Sequence, residues 1–285
     1  MTPPLVTPDW LRERLGDAGL RVVDCRYRLG EPGAGGALWR EAHIPGAAFM
    51  DLDGELAGPP GERGRHPLPD AADFEAAARG AGIGHDTLVV AYDEAAEGGA
   101  ARLWWLLRHF GHSEVTVLDG GLRGWRDEGG ELRGGDEQVE AGDFRAAAPD
   151  ETVSTEELEG LGAFPSDIAR KSASPGRVLL DARAPERYRG EVEPIDPVAG
   201  RIPGAVNLPF TELAPEGRFL PPDELRARFE AAGVASGDEA VAYCGSGVTA
   251  CVVVLAAEAA GIGATRLYPG SWSEWCALGL PVERG

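Results

Sequence analysis

The run Glu239-Ala240-Val241-Ala242-Tyr243-Cys244-Gly245-Ser246-Gly247-Val248-Thr249-Ala250 decides the fold. Its first half is an apolar segment of strand length. A turn with two glycines follows, and a helical pattern, VTACVVVLAAEAAG, begins by about Val248 and is closed by Gly261. A strand that is apolar on both faces and feeds at once into a helix belongs to a largely parallel sheet covered on two sides. Around it, VLLDAR, AVNLPF and TRLYPG read as further strands, and PPDELRARFEAAG as a helix closed by Gly233. The expected fold class is α/β. Cys244 then sits at the carboxyl end of a parallel strand, where open α/β sheets place their sites.

The same pattern occurs earlier in the chain. Val6-Thr7-Pro8-Asp9-Trp10-Leu11 resembles Val153-Ser154-Thr155-Glu156-Glu157-Leu158, each a helix start with a hydroxyl N-cap. Val22-Val23-Asp24-Cys25-Arg26 matches Leu179-Leu180-Asp181-Ala182-Arg183, and Ile44-Pro45-Gly46-Ala47 matches Ile202-Pro203-Gly204-Ala205. Val89 to Asp93 matches Ala240 to Cys244, and Gly120 to Trp125 matches Gly270 to Trp275. Five blocks in one order predict two homologous domains. The expected boundaries are 1–126 and 153–285, with the Gly-, Asp- and Glu-rich stretch 127–152 as linker.

Composition narrows the chemistry. The 285 residues carry a formal net charge of −20, which repels phosphates and excludes a nucleic-acid partner. The longest apolar stretch, Val252 to Ala260, is interrupted by Glu258 and too short to span a bilayer, so no membrane partner is expected. The N-terminal MTPPLVTPDWLRERL lacks the pattern of a secretion signal, which points to the cytoplasm. The four cysteines show neither a C-x-x-C pair nor metal-ligand spacing, so no metal and no disulfide framework is implied. Lys171 is the single lysine and lies in a loop-like stretch, a poor place for Schiff-base chemistry. All five histidines fall in the first half, so the second half must work without one of its own.

The loop after Tyr243 answers that requirement. Its glycines let successive N–H groups turn inward as an anion-binding nest, and the following helix adds partial positive charge. Such surroundings favour thiolate over thiol. Cys25, Cys251 and Cys276 lack this context and read as structural cysteines.

CGSGVTA, with LLDAR and RIPGAVNLPF before it and GSWSEW after it, resembles the catalytic domain of tandem rhodanese-type sulfurtransferases. The first half is similar to their non-catalytic domain. The resemblance implies two rhodanese-like domains, each a mainly parallel sheet flanked by helices, and no organic cofactor. Cys244 becomes the nucleophile and persulfide carrier, with the N–H groups of Gly245, Ser246, Gly247, Val248 and Thr249 around its sulfur. Asp93 stands in the first half where Cys244 stands in the second, which makes that half a scaffold. A small anionic donor supplies the sulfur. The Cys-Gly-Ser-Gly loop resembles 3-mercaptopyruvate enzymes, whereas thiosulfate enzymes carry cations there; thiosulfate:cyanide sulfur transfer is the alternative. The acceptor would be a thiol, cyanide or a thioredoxin-like protein.

Arg187, in ERYRGE, matches the family position that binds the donor's anionic group. Arg183 is expected to pair with Asp181, and Arg189 is left open. Ser246, His66 in GRHPLP and Asp53 in MDLD resemble a Ser–His–Asp proton relay of mercaptopyruvate enzymes. One departure stands out: Glu193-Pro194-Ile195-Asp196 has no arginine where these enzymes often carry a second one. A cysteine phosphatase would need an arginine six residues after Cys244, where Ala250 stands. A non-catalytic partner-binding module is the alternative outside enzymes, and the intact cysteine loop argues against it.

Overall fold

The computed structural model describes residues 2–147, 152–160, 176–263 and 265–285. Lys171 lies outside them, as do residues 148–151 of the expected linker. The chain forms two compact units. One comprises Met1–Pro59, Leu68–Asp150 and Glu216–Phe219; the other comprises Pro60–Pro67, Glu151–Pro215 and Leu220–Gly285.

The first unit holds five parallel strands, β1 (Leu5–Val6), β2 (Leu20–Asp24), β3 (Ala48–Phe49), β4 (Leu88–Tyr92) and β5 (Val115–Leu118), in the order β1-β5-β4-β2-β3. The second holds β6 (Arg177–Asp181), β7 (Val206–Asn207), β8 (Glu239–Tyr243) and β9 (Thr265–Leu267) in the order β7-β6-β8-β9, also parallel. A parallel bridge from Thr152 to Leu267 supplies the counterpart of β1. Helices cover the sheets, as expected for strands apolar on both faces. Among the described residues, no helix is long and apolar enough to cross a membrane.

The repeat survives at the level of single contacts. In the first unit Val6, Leu11, Val22, Ile44, Ala47, Val90, Tyr92, Leu118, Leu122 and Trp125 form one core. In the second the core is Val153, Leu158, Leu179, Ile202, Ala205, Val241, Tyr243, Tyr268, Trp272 and Trp275, in the same order. The polar circuits match too. Tyr92 donates its hydroxyl to Asp24 Oδ2 at 2.8 Å and accepts from Ile44 N at 3.3 Å. Tyr243 donates to Asp181 Oδ2 at 2.7 Å and accepts from Ile202 N at 3.2 Å. Each aspartate also binds the arginine two residues on, so neither of these two buried carboxylates is left without a partner.

Local signals behave as read, with two adjustments. Thr7 accepts from Trp10 N at 3.2 Å and Ser154 from Glu157 N at 3.1 Å, so both hydroxyls cap their helices. Helix Pro222–Ala231 ends with Gly233 N on Glu230 O and Val234 N on Phe229 O, a Schellman pattern at a residue with φ of 86°. The strand expected in AVNLPF is only two residues long, because Pro209 has no N–H for the ladder and leads into the short helix Phe210–Leu213. The helix after Cys244 begins at Ala250 rather than near Val248, since the turn set by Gly247 continues through Thr249.

Residues 127–147 pack within the first unit. His43 and Arg133 exchange backbone hydrogen bonds at 2.8 and 2.9 Å, Gly135 N donates to Arg40 O, and Phe144 is buried. Its charged composition suggested a spacer, but alternate backbone groups and one aromatic ring tie it down.

Candidate active site

Strand β8 delivers Cys244 into the turn, and the backbone there is fixed from both sides. Cys244 N donates to Ser271 Oγ at 3.1 Å, and Ser271 Oγ donates to Tyr268 O at 2.9 Å. Trp272 N and Ser273 N donate to the carbonyls of Cys244 and Gly245 at 3.0 and 2.9 Å. Gly247 takes a φ of 80°, and a Cβ there would run into Pro269 O. This curl aims Gly247 N at Cys244 Sγ, 3.1 Å away. The sulfur is thus an acceptor for the loop's own backbone, and Cys244 is only 2% exposed.

A second segment of this unit reaches the same loop. Residues 60–67 turn back on themselves, with Gly61 and Gly64 exchanging backbone hydrogen bonds at 3.0 Å. Gly64, at a φ of 97°, has no room for a side chain: a Cβ would stand 2.7 Å from Ser273 Oγ and 2.9 Å from Gly270 O. That approach, with Arg65 N donating to Ser273 Oγ at 3.1 Å, sets His66 Nδ1 at 2.7 Å from Ser246 Oγ. His66 and Ser246 are both buried. The structure therefore brings together these two predicted residues. Asp53 belongs to the first unit, in an exposed turn after β3.

Arg187 lies at the loop as expected. A methyl group on Gly245 would meet its Nη1 at 3.5 Å and Nη2 at 3.6 Å. Its other edge is held by Glu193, through Nε at 3.1 Å and Nη2 at 2.7 Å, and by Asp196 at 3.3 Å. Burial alone would raise the Glu193 carboxyl, yet the hydrogen bonds from Arg187 and the nearby backbone hold it below its ordinary value. Burial pushes Asp196 up, against the pull of Arg65 and Arg187. Asp196, in the segment without the second arginine, thus receives arginines instead.

Arg183 is structural, as read. It is buried, forked onto Asp181 through Nε and Nη2, donates to Gly200 O at 2.7 Å and stacks over Trp272 with 4.7 Å to the ring centre. Arg189 resolves as a surface residue paired with Glu191 at 2.7 Å. Arg65 was not singled out from the sequence; the one available signal was its place beside His66.

The remaining cysteines are free of disulfides. Cys251 is buried and donates to Gly247 O at 3.3 Å. Burial pushes the Cys276 thiol up to about 12, and burial together with Asp24 and Asp93 drives Cys25 well above the usual range. Neither environment favours a thiolate.

The matching loop of the first unit is built differently. Asp93 is buried and turns its own carboxylate inward, with Oδ2 accepting from Gly98 N at 3.0 Å and Ala100 N at 3.2 Å. Burial raises this carboxyl and the backbone bonds pull it back. The loop keeps its nest and fills it with a side chain that cannot carry sulfur.

Known proteins are similar to this chain over nearly all of its length. A protein of Pseudomonas aeruginosa described as "Probable 3-mercaptopyruvate sulfurtransferase" is 45% identical over 278 residues, covering 95% of this chain and 94% of its own length. A Mycobacterium tuberculosis protein described as "Putative thiosulfate sulfurtransferase SseB" is 43% identical over 93% of this chain and 90% of its own. The crystal structure of SseA from Escherichia coli, a 3-mercaptopyruvate enzyme by its description, superposes with a TM-score of 0.80 at 34% identity, covering 95% of this chain and all of that one. The family model of the rhodanese-like domain matches twice, at residues 7–128 and 164–278. With both copies of the repeat matched and the cysteine loop intact in the second, the chain belongs to the rhodanese-like family, as a tandem sulfurtransferase.

Proposed function

We propose that the protein moves sulfur from 3-mercaptopyruvate to a thiophilic acceptor by way of a persulfide on Cys244. The observation that carries this reading is the Gly247 N–H aimed at the Cys244 sulfur at 3.1 Å, in a loop that has glycine and serine where a cation would serve a dianionic donor. In the first half-reaction Cys244 Sγ attacks the donor's sulfur. The new S–S bond forms as the donor's C–S bond breaks, and its electron pair leaves on carbon as the enolate of pyruvate. The enolate takes a proton and departs as pyruvate. His66 and Ser246, joined at 2.7 Å, are placed to pass that proton. The family resemblance adds Asp53 as the residue that orients His66; Asp53→Asn tests this by its effect on the rate of pyruvate release.

Arg187 meets the donor's carboxylate, and the loop N–H groups stabilise negative charge on the outer sulfur. In the second half-reaction a thiolate attacks that sulfur, and Cys244 leaves as the restored thiolate. A small thiol, cyanide or a thioredoxin-like protein fits the acceptor role. Four free cysteines suit a reducing, cytoplasmic setting.

The test is intact-protein mass after brief exposure to 3-mercaptopyruvate or to thiosulfate, with Cys244→Ser as control. A gain of one sulfur, faster from 3-mercaptopyruvate, reversed by thiol and absent in the variant, is expected. Faster loading from thiosulfate would reassign the donor, and no gain from either would make Cys244 structural.

A further inference from the structure

Arg187 is not the sole guanidinium beside the cysteine loop. A methyl group on Gly245, the residue after the nucleophile, would stand 2.9 Å from Arg65 Nη2, nearer than either nitrogen of Arg187. Arg65 comes from the 60–67 turn, 131 positions before its carboxylate partner Asp196, to which Nη1 donates. Its Nε is buried and meets no acceptor among the described residues. The Arg65 side chain is 27% exposed, so it lines the loop without being sealed away.

We infer that Arg65 is the second donor-binding arginine of this enzyme, forming with Arg187 a two-guanidinium clamp for the carboxylate of the sulfur donor; the inference rests on the reading of 3-mercaptopyruvate as that donor. Three observations carry it. First, a buried guanidinium N–H with no acceptor is costly, and a ligand carboxylate at this spot would meet it. Second, Asp196 binds both arginines, Arg65 through Oδ1 and Arg187 through Oδ2 at 3.3 Å, so one carboxylate sets the spacing of two cations. Third, Arg187 is neutralised along one edge by Glu193, which leaves its Nη1 side toward the loop. A single half-neutralised arginine is a weak trap for a carboxylate; two aimed at one spot give bidentate geometry. Asp196 is then a positioning residue, and Arg65 a specificity residue for anionic donors.

The experiment compares 3-mercaptopyruvate with mercaptoacetone, which has the same ketone and thiol but no carboxylate. Arg65→Met is expected to lower the ratio of their kcat/KM values about 10- to 100-fold, the range for losing a hydrogen bond to a charged group, mostly through KM. Arg65→Lys, a point charge without the planar fork, should restore only part of it. Asp196→Asn, which keeps the shape of the residue, should lower the same ratio less. An unchanged ratio, or an equal loss with both donors, overturns the inference. A parallel titration of Cys244→Ser with 3-mercaptopyruvate by calorimetry needs no turnover. Weaker binding on adding Arg65→Met supports the clamp even if the wild-type protein transfers no sulfur, and equal binding refutes it.

Discussion

His66 Nδ1 stands 2.7 Å from Ser246 Oγ, although 180 positions separate the two residues. Neither half of the chain holds both members of the pair, and the Gly61–Gly64 turn is what brings them together. Acting as one relay, they should show non-additive losses. His66→Ala and Ser246→Ala are each expected to slow pyruvate release about 10²–10³-fold, with the double variant little worse than either. Rapid-quench measurement of the first half-reaction checks this; multiplicative effects would mean that the two act separately.

Gly247→Ala tests the nest. The added methyl meets Pro269 O at a φ of 80° and must push the loop away from the sulfur. We expect a loss of about 1–3 kcal/mol in denaturant unfolding, and a Cys244 persulfide that no longer accumulates in intact-mass spectra. Normal accumulation would show that the Gly247 N–H is dispensable.

Asp93 holds its own loop through Gly98 N and Ala100 N. Asp93→Ala leaves those donors buried without an acceptor, for an expected loss of about 1–3 kcal/mol. Asp93→Asn keeps one acceptor oxygen and should lose less. Equal losses on urea unfolding would show that the loop needs the full carboxylate, and that one amide oxygen of the same shape cannot replace it.

Two arginines of one segment should separate sharply. Arg183→Met strands buried Asp181 and is expected to destabilise by about 3–5 kcal/mol. Arg189→Ala removes an exposed pair and should leave stability essentially unchanged. Thermal unfolding of both variants decides.

Half-buried Cys276 and buried Cys25 predict how stability depends on alkaline pH. Cys276 titrates at about 12 when folded, against 9.0 for an ordinary thiol. Above pH 9 the unfolded chain therefore releases a proton that the folded one keeps, so stability is full below that pH and falls as pH rises. Cys25 adds to the same window. Cys276→Ala should reduce the slope of unfolding free energy between pH 9 and 10 by about three-quarters of a proton, about 1 kcal/mol per pH unit. An unchanged slope would place that titration elsewhere.

Much of this was legible in the sequence because the repeat makes each element vouch for its partner. Asp-x-Arg after an apolar run, Ile-Pro-Gly-Ala and the strand ending in Tyr each recur with the same hydrogen bonds. Cys244 and Arg187 could be proposed from the sequence because each lies in a local motif. Arg65 was not, since its place at the loop depends on a turn in which Gly64 packs against Ser273 and Gly270, more than two hundred positions away. The packing of residues 127–147 was also hidden, because charged composition does not reveal where backbone N–H groups find their acceptors.

The assignment of residues 60–67 to the second unit, and of Glu216–Phe219 to the first, bears on how such a gene can change. A cut at the apparent boundary would part His66 and Arg65 from the cysteine they face, and Phe219 N from the Asp119 carboxylate that it binds at 2.9 Å. Once those short segments had crossed over, neither copy could be lost, shuffled or inherited alone, even though only one of them keeps a cysteine in its loop. The copy with Asp93 in its loop encodes part of the other copy's equipment.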